Sequence, residues 1–370
     1  MTDDKPRRIF ITADTIGGVW TYAIKLARAL AAQGIDIALA TMGRTLSYDQ
    51  RRKCRQIPRL QLYESAYKLE WMENPWDDIE SAKLWLLNLE KLVCPDVVHL
   101  NQFSFGNLPW SAPAIVVGHS CVLSWCKAVK GEEAPPTWDR YTKEVRNGLQ
   151  AAAMVIAPTH TMLASLMSYY GPFRRSLVIY NGRDRSRFLP GNKQNFVLTA
   201  GRLRDEAKNI RLLKSIAARL PWPVYVAGES GAGHNGSISN IHYLTFLPSS
   251  ILAMWYSKAA IYCLPARYEP FGLSALEAAL AGCALVLGNI PSLQELWKDA
   301  AIFVNPENPH ELEDTIAWLI RNDSYRRNLA SVARARALQF TPQRMLQSYM
   351  DAYRHVLLPE EVQQIDHIAS

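Results

Sequence analysis

The stretch Ala266-Arg-Tyr-Glu-Pro-Phe-Gly-Leu-Ser-Ala-Leu-Glu277 holds the densest set of chemically useful residues in this 370-residue chain. It follows the apolar run 260–264, which reads as a buried strand. Ligands of open α/β sheets bind outside the carboxyl ends of the strands, where this stretch must lie. Pro270 and Gly272 break the chain before a helical pattern. The N–H groups of Gly272, Leu273 and Ser274 then lack intrahelical acceptors at a positive helix end, which suits a phosphate. Glu269 precedes that point and Glu277 lies eight positions later, about one turn inside the helix. A carboxylate beside phosphate is repelled, so the two acids suit hydroxyl groups better, those of a sugar and a ribose. The same residues also describe an ordinary helix, with an acid favoured by the dipole and a surface glutamate.

Positioning such a site takes a particular alternation of elements, and the chain shows it twice. Apolar runs at 8–13, 36–41, 97–100, 114–118, 154–157 and 178–180 read as strands, with a helix at 19–33. The pattern restarts with strands at 196–200, 224–227, 241–246, 260–264 and 284–287. Helices are expected there at 209–220, 273–281, 309–322 and 324–339. Short apolar strands alternating with helices indicate parallel sheets covered on both faces. Two Rossmann-like domains are therefore expected, 1–180 and 181–340, with the boundary near Asn181–Gln194, where Asn-Gly and Pro-Gly turns meet several charges. One more helix, 341–357, would begin at Pro342, whose missing N–H costs nothing in a first turn. Between Tyr63 and Trp85 the pattern is irregular. Its tryptophans at 71, 76 and 85 suit either a core or a platform for sugar or lipid.

Composition closes off other classes. Apolar residues make up 49% of the chain, against wholesale disorder. No run of 18 apolar residues lacks charge, and Ile9–Ala13 is too short for a secretory leader. The six cysteines show no Cys-x-x-Cys spacing and read as free thiols of a reducing cytoplasm. The net charge of +7 is spread over both halves, which suits a small anion or an anionic membrane surface better than nucleic acid. No His/Cys cluster has zinc spacing and no Asp-x-Asp pair occurs, so no metal site is expected. Gly231-Ala-Gly-His-Asn-Gly236 matches a dinucleotide glycine pattern, but a strand and not a helix follows it. It reads as a loop.

The pair of glutamates around Pro-Phe-Gly-Leu-Ser, followed by Ala281-Gly282 and Ile290-Pro291, resembles the donor-site signature of retaining glycosyltransferases of family 4. Other segments match in order: Gly17-Gly18 before a helix, His119 after a strand, Asn181-Gly182 with Asp184, and Gly201-Arg202 with Lys208. The resemblance covers nearly the whole chain. It implies a GT-B fold, with two Rossmann-like domains facing across a cleft and a C-terminal helix, within 341–370, crossing back to the N-terminal domain. It implies that Arg202 and Lys208 hold the donor diphosphate and that Gly18 meets a donor phosphate through its backbone. Phe271, Gly272, Leu273 and Ser274 fall in the donor-binding segment. Glu277 matches the ribose-binding carboxylate, Glu269 the one near the transferred sugar, and His119 the histidine beside that sugar. The family's Lys-Gly is Lys208-Asn209 here. Asparagine tolerates a left-handed conformation, so the turn is expected to survive.

The function so implied is transfer of a hexose, first guess glucose from UDP-glucose, to a saccharide or lipid-linked acceptor in polysaccharide or glycolipid assembly. No cofactor or metal is called for, because cations and a helix end replace the metal. A sugar-nucleotide epimerase or hydrolase of the same fold, or a non-catalytic sensor of nucleotide-sugars, are the alternatives. Arg51, Arg52, Lys53, Arg55 and Arg59 form a basic cluster. It reads as a solvated face or as a contact with anionic lipid at the inner face of the membrane.

Overall fold

The computed structural model describes residues 5–228 and 239–358. The Gly231–Gly236 segment and the last twelve residues of the expected returning segment lie outside the described residues. By internal contacts the chain forms two compact units, one of residues 1–124, 133–181 and 342–370, the other of 125–132 and 182–341.

In chain order the first elements are β1 (Arg8–Asp14), α1 (Gly18–Ala32), β2 (Asp36–Met42), α2 (Tyr48–Arg55), β3 (Leu60–Glu64), α3 (Trp76–Val93), β4 (Val97–Leu100), β5 (Ala114–Val117), α4 (Val122–Lys130), α5 (Asp139–Ala151), β6 (Met154–Ala157), α6 (His160–Tyr170) and β7 (Ser176–Val178). Their strands make one parallel sheet in the order β3-β2-β1-β4-β5-β6-β7. Successive residues of each central strand alternate between two cores. Ile9, Ile11, Val97, Ile115 and Val117 face one of them, and Phe10, Val98, Leu100 and Val116 the other. That is why these strands read as unbroken apolar runs.

The second unit holds β8 (Gln194–Ala200), α7 (Ile210–Ile216), β9 (Val224–Ala227), β10 (Ile241–Thr245), α8 (Ser249–Lys258), β11 (Ala259–Leu264), α9 (Leu273–Leu280), β12 (Ala284–Gly288), α10 (Pro291–Trp297), β13 (Ile302–Val304), α11 (Pro309–Arg321) and α12 (Asp323–Ala337). Its parallel sheet runs β10-β9-β8-β11-β12-β13, again between two cores. The helix expected over 209–220 is shorter, because a 3-10 turn at Ala217–Arg219 ends it. The last helix, α13 (Pro342–Leu357), starts at the proline as expected and packs on α1, in the first unit.

In each sheet the chain order reverses once, between β1 and β4 and between β8 and β11. Such a switch point opens a crevice at the carboxyl ends of the strands, where ligands bind. The turn after β1 leads into α1 at Gly18, and the loops after β4 and β5 carry Asn101 and His119. Those after β8 and β11 carry Arg202 and Glu269.

Candidate active site

In the second unit, Gly272 occupies the N-cap of α9 at φ 82°, ψ 56°, and no side chain caps the helix. A left-handed residue here favours glycine, and a Cβ would stand 3.2 Å from Leu293 Cδ2. The first N–H groups of α9 are therefore left to a ligand or to solvent. The Ser292 hydroxyl donates to the Glu269 carbonyl at 2.6 Å and fixes the loop before the helix. Phe271 would meet a donor only through its backbone. The residue is 4% exposed, and its ring lies in the core edge-on to Phe340. Leu273 likewise packs against the core.

The loop after β8 comes to the same place. Asn209 adopts φ 52°, ψ 35°, the left-handed conformation that the Lys208-Asn209 turn requires. Its side-chain amide donates to the Pro306 carbonyl at 2.6 Å, and Arg267 N donates to the Ala207 carbonyl at 2.8 Å. These bonds carry Lys208 onto Glu269, and the ammonium and carboxylate form a close ion pair, each less than one-fifth exposed. Two residues expected on opposite tasks, phosphate and sugar, are thus adjacent. Arg202 stands apart, 61% exposed and paired with Asp205 at 2.9 Å. A pair that exposed is weak, and the guanidinium is free to exchange Asp205 for an anion.

Glu277 is not the surface residue of the plain helix reading. Its side chain is 16% exposed and accepts a hydrogen bond at 2.7 Å from Nε of Arg183, itself 4% exposed. Sequence reasoning missed Arg183. The only hint was its place between Gly182 and Asp184, because its partner lies 94 positions away.

The first unit holds a separate group of polar residues at its switch point. Gly18 is the first residue of α1, whose N-cap Gly17 provides no side-chain cap. His119 follows β5, and its Nε2 lies 2.6 Å from Asn101 Oδ1. The Asn101 amide nitrogen donates to the Thr12 carbonyl at 2.6 Å. Tyr22, one turn into α1, stands edge-on to His119 with centroids 4.5 Å apart. Behind it, buried His99 contacts the Tyr353 hydroxyl through Nδ1 at 2.8 Å and the Tyr22 hydroxyl through Nε2 at 3.2 Å. Desolvation pushes both His99 and His119 down to about 3. Tyr22, His99 and Tyr353 were not foreseen.

Next to Asn101, Gln102 is 4% exposed, and neither atom of its amide finds a partner. The turn that follows is held by Glu70, whose buried carboxylate accepts from Phe103 N, Ser104 N and the Ser104 hydroxyl. Desolvation raises that carboxyl above its usual range.

The basic cluster lies in α2 and the turn before β3. Arg51 pairs with Glu64, Arg52 and Lys53 with Asp49, and Arg59 with Asp36. Trp76 and Trp85 pack against the core, leaving Trp71 41% exposed. The six cysteines are unbridged. Among the described residues no helix is long and apolar enough to cross a membrane, and no group of three His, Cys, Asp or Glu is placed to hold a metal.

Comparison with known proteins gives these features a family. The profile of the "Glycosyl transferases group 1" matches residues 182–336, and that of "Glycosyltransferase Family 4" matches 16–187. A D-inositol 3-phosphate glycosyltransferase of Nocardioides sp. is 24% identical over 399 residues, spanning 91% of this chain and 85% of the relative. The sucrose-phosphate synthase of Thermosynechococcus elongatus superposes with a TM-score of 0.81 at 17% identity, covering 95% of this chain and 99% of that one. HepE from Anabaena, solved with UDP and glucose, gives 0.73 at 16% identity, covering 94% and 99%. The solved structures share the fold, GT-B, with its two parallel-sheet α/β domains. From the two matched profiles and the switch-point loops together, the chain belongs to glycosyltransferase family 4 and is a glycosyltransferase of the GT-B fold.

Proposed function

We propose that this glycosyltransferase moves a hexose from a nucleoside-diphosphate sugar to a hydroxylated acceptor, with retention at the anomeric carbon, and that UDP-glucose is the first donor to test. One observation carries the reading: the Lys208–Glu269 pair beside the uncapped start of α9, with Glu277 further along the same helix. Cations and helix N–H groups suit a diphosphate, and the two carboxylates suit hydroxyl groups on either side of it. The solved HepE complex with UDP and glucose supports the choice of donor.

The bond from the anomeric carbon to the leaving phosphate oxygen breaks as the acceptor oxygen bonds to that carbon. Arg202, Lys208 and the start of α9 stabilise the charge gathering on the diphosphate. With no enzymatic nucleophile assigned, the acceptor attacks from the leaving-group side and its proton passes to the departing phosphate. No metal is asked to take part. The buried, unpaired amide of Gln102 both donates and accepts, which suits an acceptor hydroxyl.

The test is UDP release from UDP-glucose with and without added saccharide acceptors. Release that depends on acceptor supports transfer, equal release selects a hydrolase, and a C2 epimer selects an epimerase. Arg202→Ala and Lys208→Ala should each lower kcat/KM by roughly 10²- to 10³-fold. Activity should survive a chelator; full loss restored by a divalent ion would refute the metal-free reading.

A further inference from the structure

Arg202 and Lys208 are both held by acids, and Asp205, the acid on Arg202, is itself anchored by other groups. Asp205 opens the 3-10 turn Glu206–Lys208, where its Oδ1 accepts from the Ala207 N–H at 3.1 Å. The same oxygen accepts from the indole N–H of Trp125 at 3.3 Å. Lys130, further along the same helix, pairs with Glu206 at 2.7 Å. Residues 125–132 belong to the second unit, so this part of α4 helps to fix the turn. The other oxygen, Oδ2, takes a single bond from Nη2 of Arg202 at 2.9 Å. The carboxylate side chain is 13% exposed and that of Arg202 61%.

These bonds make the pair unequal. Arg202 can leave Asp205 without orphaning it, because Ala207 and Trp125 still donate to the carboxylate. Asp205 cannot follow, because its turn and α4 hold it. We propose that Asp205 is a positioning residue that competes with the donor diphosphate for Arg202. The arriving diphosphate draws the guanidinium off a fixed carboxylate, and Asp205 thereby sets how tightly the nucleotide binds. An ion pair this exposed is weak, so the competition lowers nucleotide affinity only about 2- to 5-fold. This inference rests on the proposed task of Arg202 at the diphosphate, and adds Asp205 and Trp125 to the parts that govern it.

The test is calorimetric titration of wild type, Asp205→Asn, Arg202→Ala and the double variant with UDP, GDP and ADP. Asparagine caps a helical turn as well as aspartate does and keeps an oxygen for Ala207 and Trp125, so the change removes the charge alone. Asp205→Asn should tighten nucleotide binding about 2- to 5-fold. The double-mutant cycle separates competition from simple repulsion of the phosphates. If Asp205 competes for Arg202, Arg202→Ala costs more in the Asp205→Asn background than in wild type. An equal or smaller cost there would leave only repulsion and overturn the proposal. Unchanged affinity in Asp205→Asn overturns it too, and weaker binding would mean that Asp205 aims Arg202 at the diphosphate. Thermal melts check folding; if Asp205→Asn does not fold, Asp205→Ser, which also keeps a capping oxygen, takes its place in the cycle. A wild type that binds none of the three nucleotides overturns the donor reading, and this inference with it. Binding that Arg202→Ala leaves intact in both backgrounds removes Arg202 from the diphosphate and overturns this inference, while the donor reading stands on Lys208.

Discussion

His119 carries its proton on a particular nitrogen. Because the Asn101 amide nitrogen is committed to the Thr12 carbonyl, the oxygen faces His119, and Nε2 must be the donor. Nδ1 is then the atom with a free lone pair. Desolvation keeps this ring and that of His99 neutral through the physiological range. For fully buried His99 that has a consequence for stability. Below its ordinary value of 6.5 the unfolded chain takes up a proton that the native ring refuses until about pH 3. Stability should therefore fall as pH is lowered through that window, by about 1.4 kcal/mol per unit. Denaturant melts between pH 6.5 and 5 should show a shallower slope in His99→Gln, which keeps polar atoms but does not titrate; an unchanged slope would remove His99 as its source. The two glutamates of the donor loop separate by ligand. Glu277→Gln should weaken nucleoside diphosphate binding about 10- to 100-fold, and Glu269→Gln should slow transfer while sparing that affinity. Calorimetry on both variants decides, and the reverse pattern would exchange the assignments. At this scale the sequence was legible where a residue sits in a compact motif. Glu269, Gly272 and Glu277 share one loop and helix, so their spacing alone suggested a site. Arg183, Tyr22, His99 and Gln102 act through partners brought by topology, and no local pattern marks them.

Elements were legible in proportion to how thoroughly the sheet buries them. Central strands such as β4 and β6 are covered on both faces and stand out as apolar runs at the expected positions. The edge strand β3 has no fully buried residue, and no apolar run marked it in the sequence. Helices α2 and α5 are rich in charge, and a Gly near the end of α5 weakens its helical pattern further. That glycine has a packing reason. A Cβ at Gly148 would stand 1.8 Å from the Phe103 carbonyl oxygen, and one at Gly106 would stand 2.2 Å from the Gly148 carbonyl oxygen. The backbone of α5 thus rests directly on the turn that presents Asn101 and Gln102. Gly148→Ala should force the two apart at a cost of about 1–3 kcal/mol or more. It should also raise amide exchange in residues 101–106. A variant as stable as wild type would mean that α5 can slide without moving the turn.

On the scale of the whole molecule, chain order and spatial order part company at α13. This helix follows the second unit in sequence but belongs to the first, and the pattern of residues 342–357 says only that a helix forms, not where it docks. Its buried face comprises Met345, Tyr349, Met350, Ala352, Tyr353 and Val356, with Tyr349 edge-on to Tyr22 and Tyr353 bonded to His99. At about 1.5–3 kcal/mol for each of the five large side chains, the docking contributes on the order of 8–15 kcal/mol as an upper bound. That matches the entire stability of an ordinary domain, about 5–15 kcal/mol. A chain ending at Thr341 should therefore lose the first unit and keep the second. Hydrogen exchange should show β1, β4 and β5 exposed at once while β8, β11 and β12 stay protected, although the deletion adjoins the second unit in sequence. The Tyr22–His119 contact should go with the first unit, because Tyr22 is held from behind by His99 and α13. Nucleoside diphosphate, by contrast, should still bind the truncated chain, since Lys208, Arg183 and Glu277 all lie in the part that remains folded. Loss of protection in both units together would show that the second unit depends on α13 as well, and would overturn the division of labour drawn from the contacts.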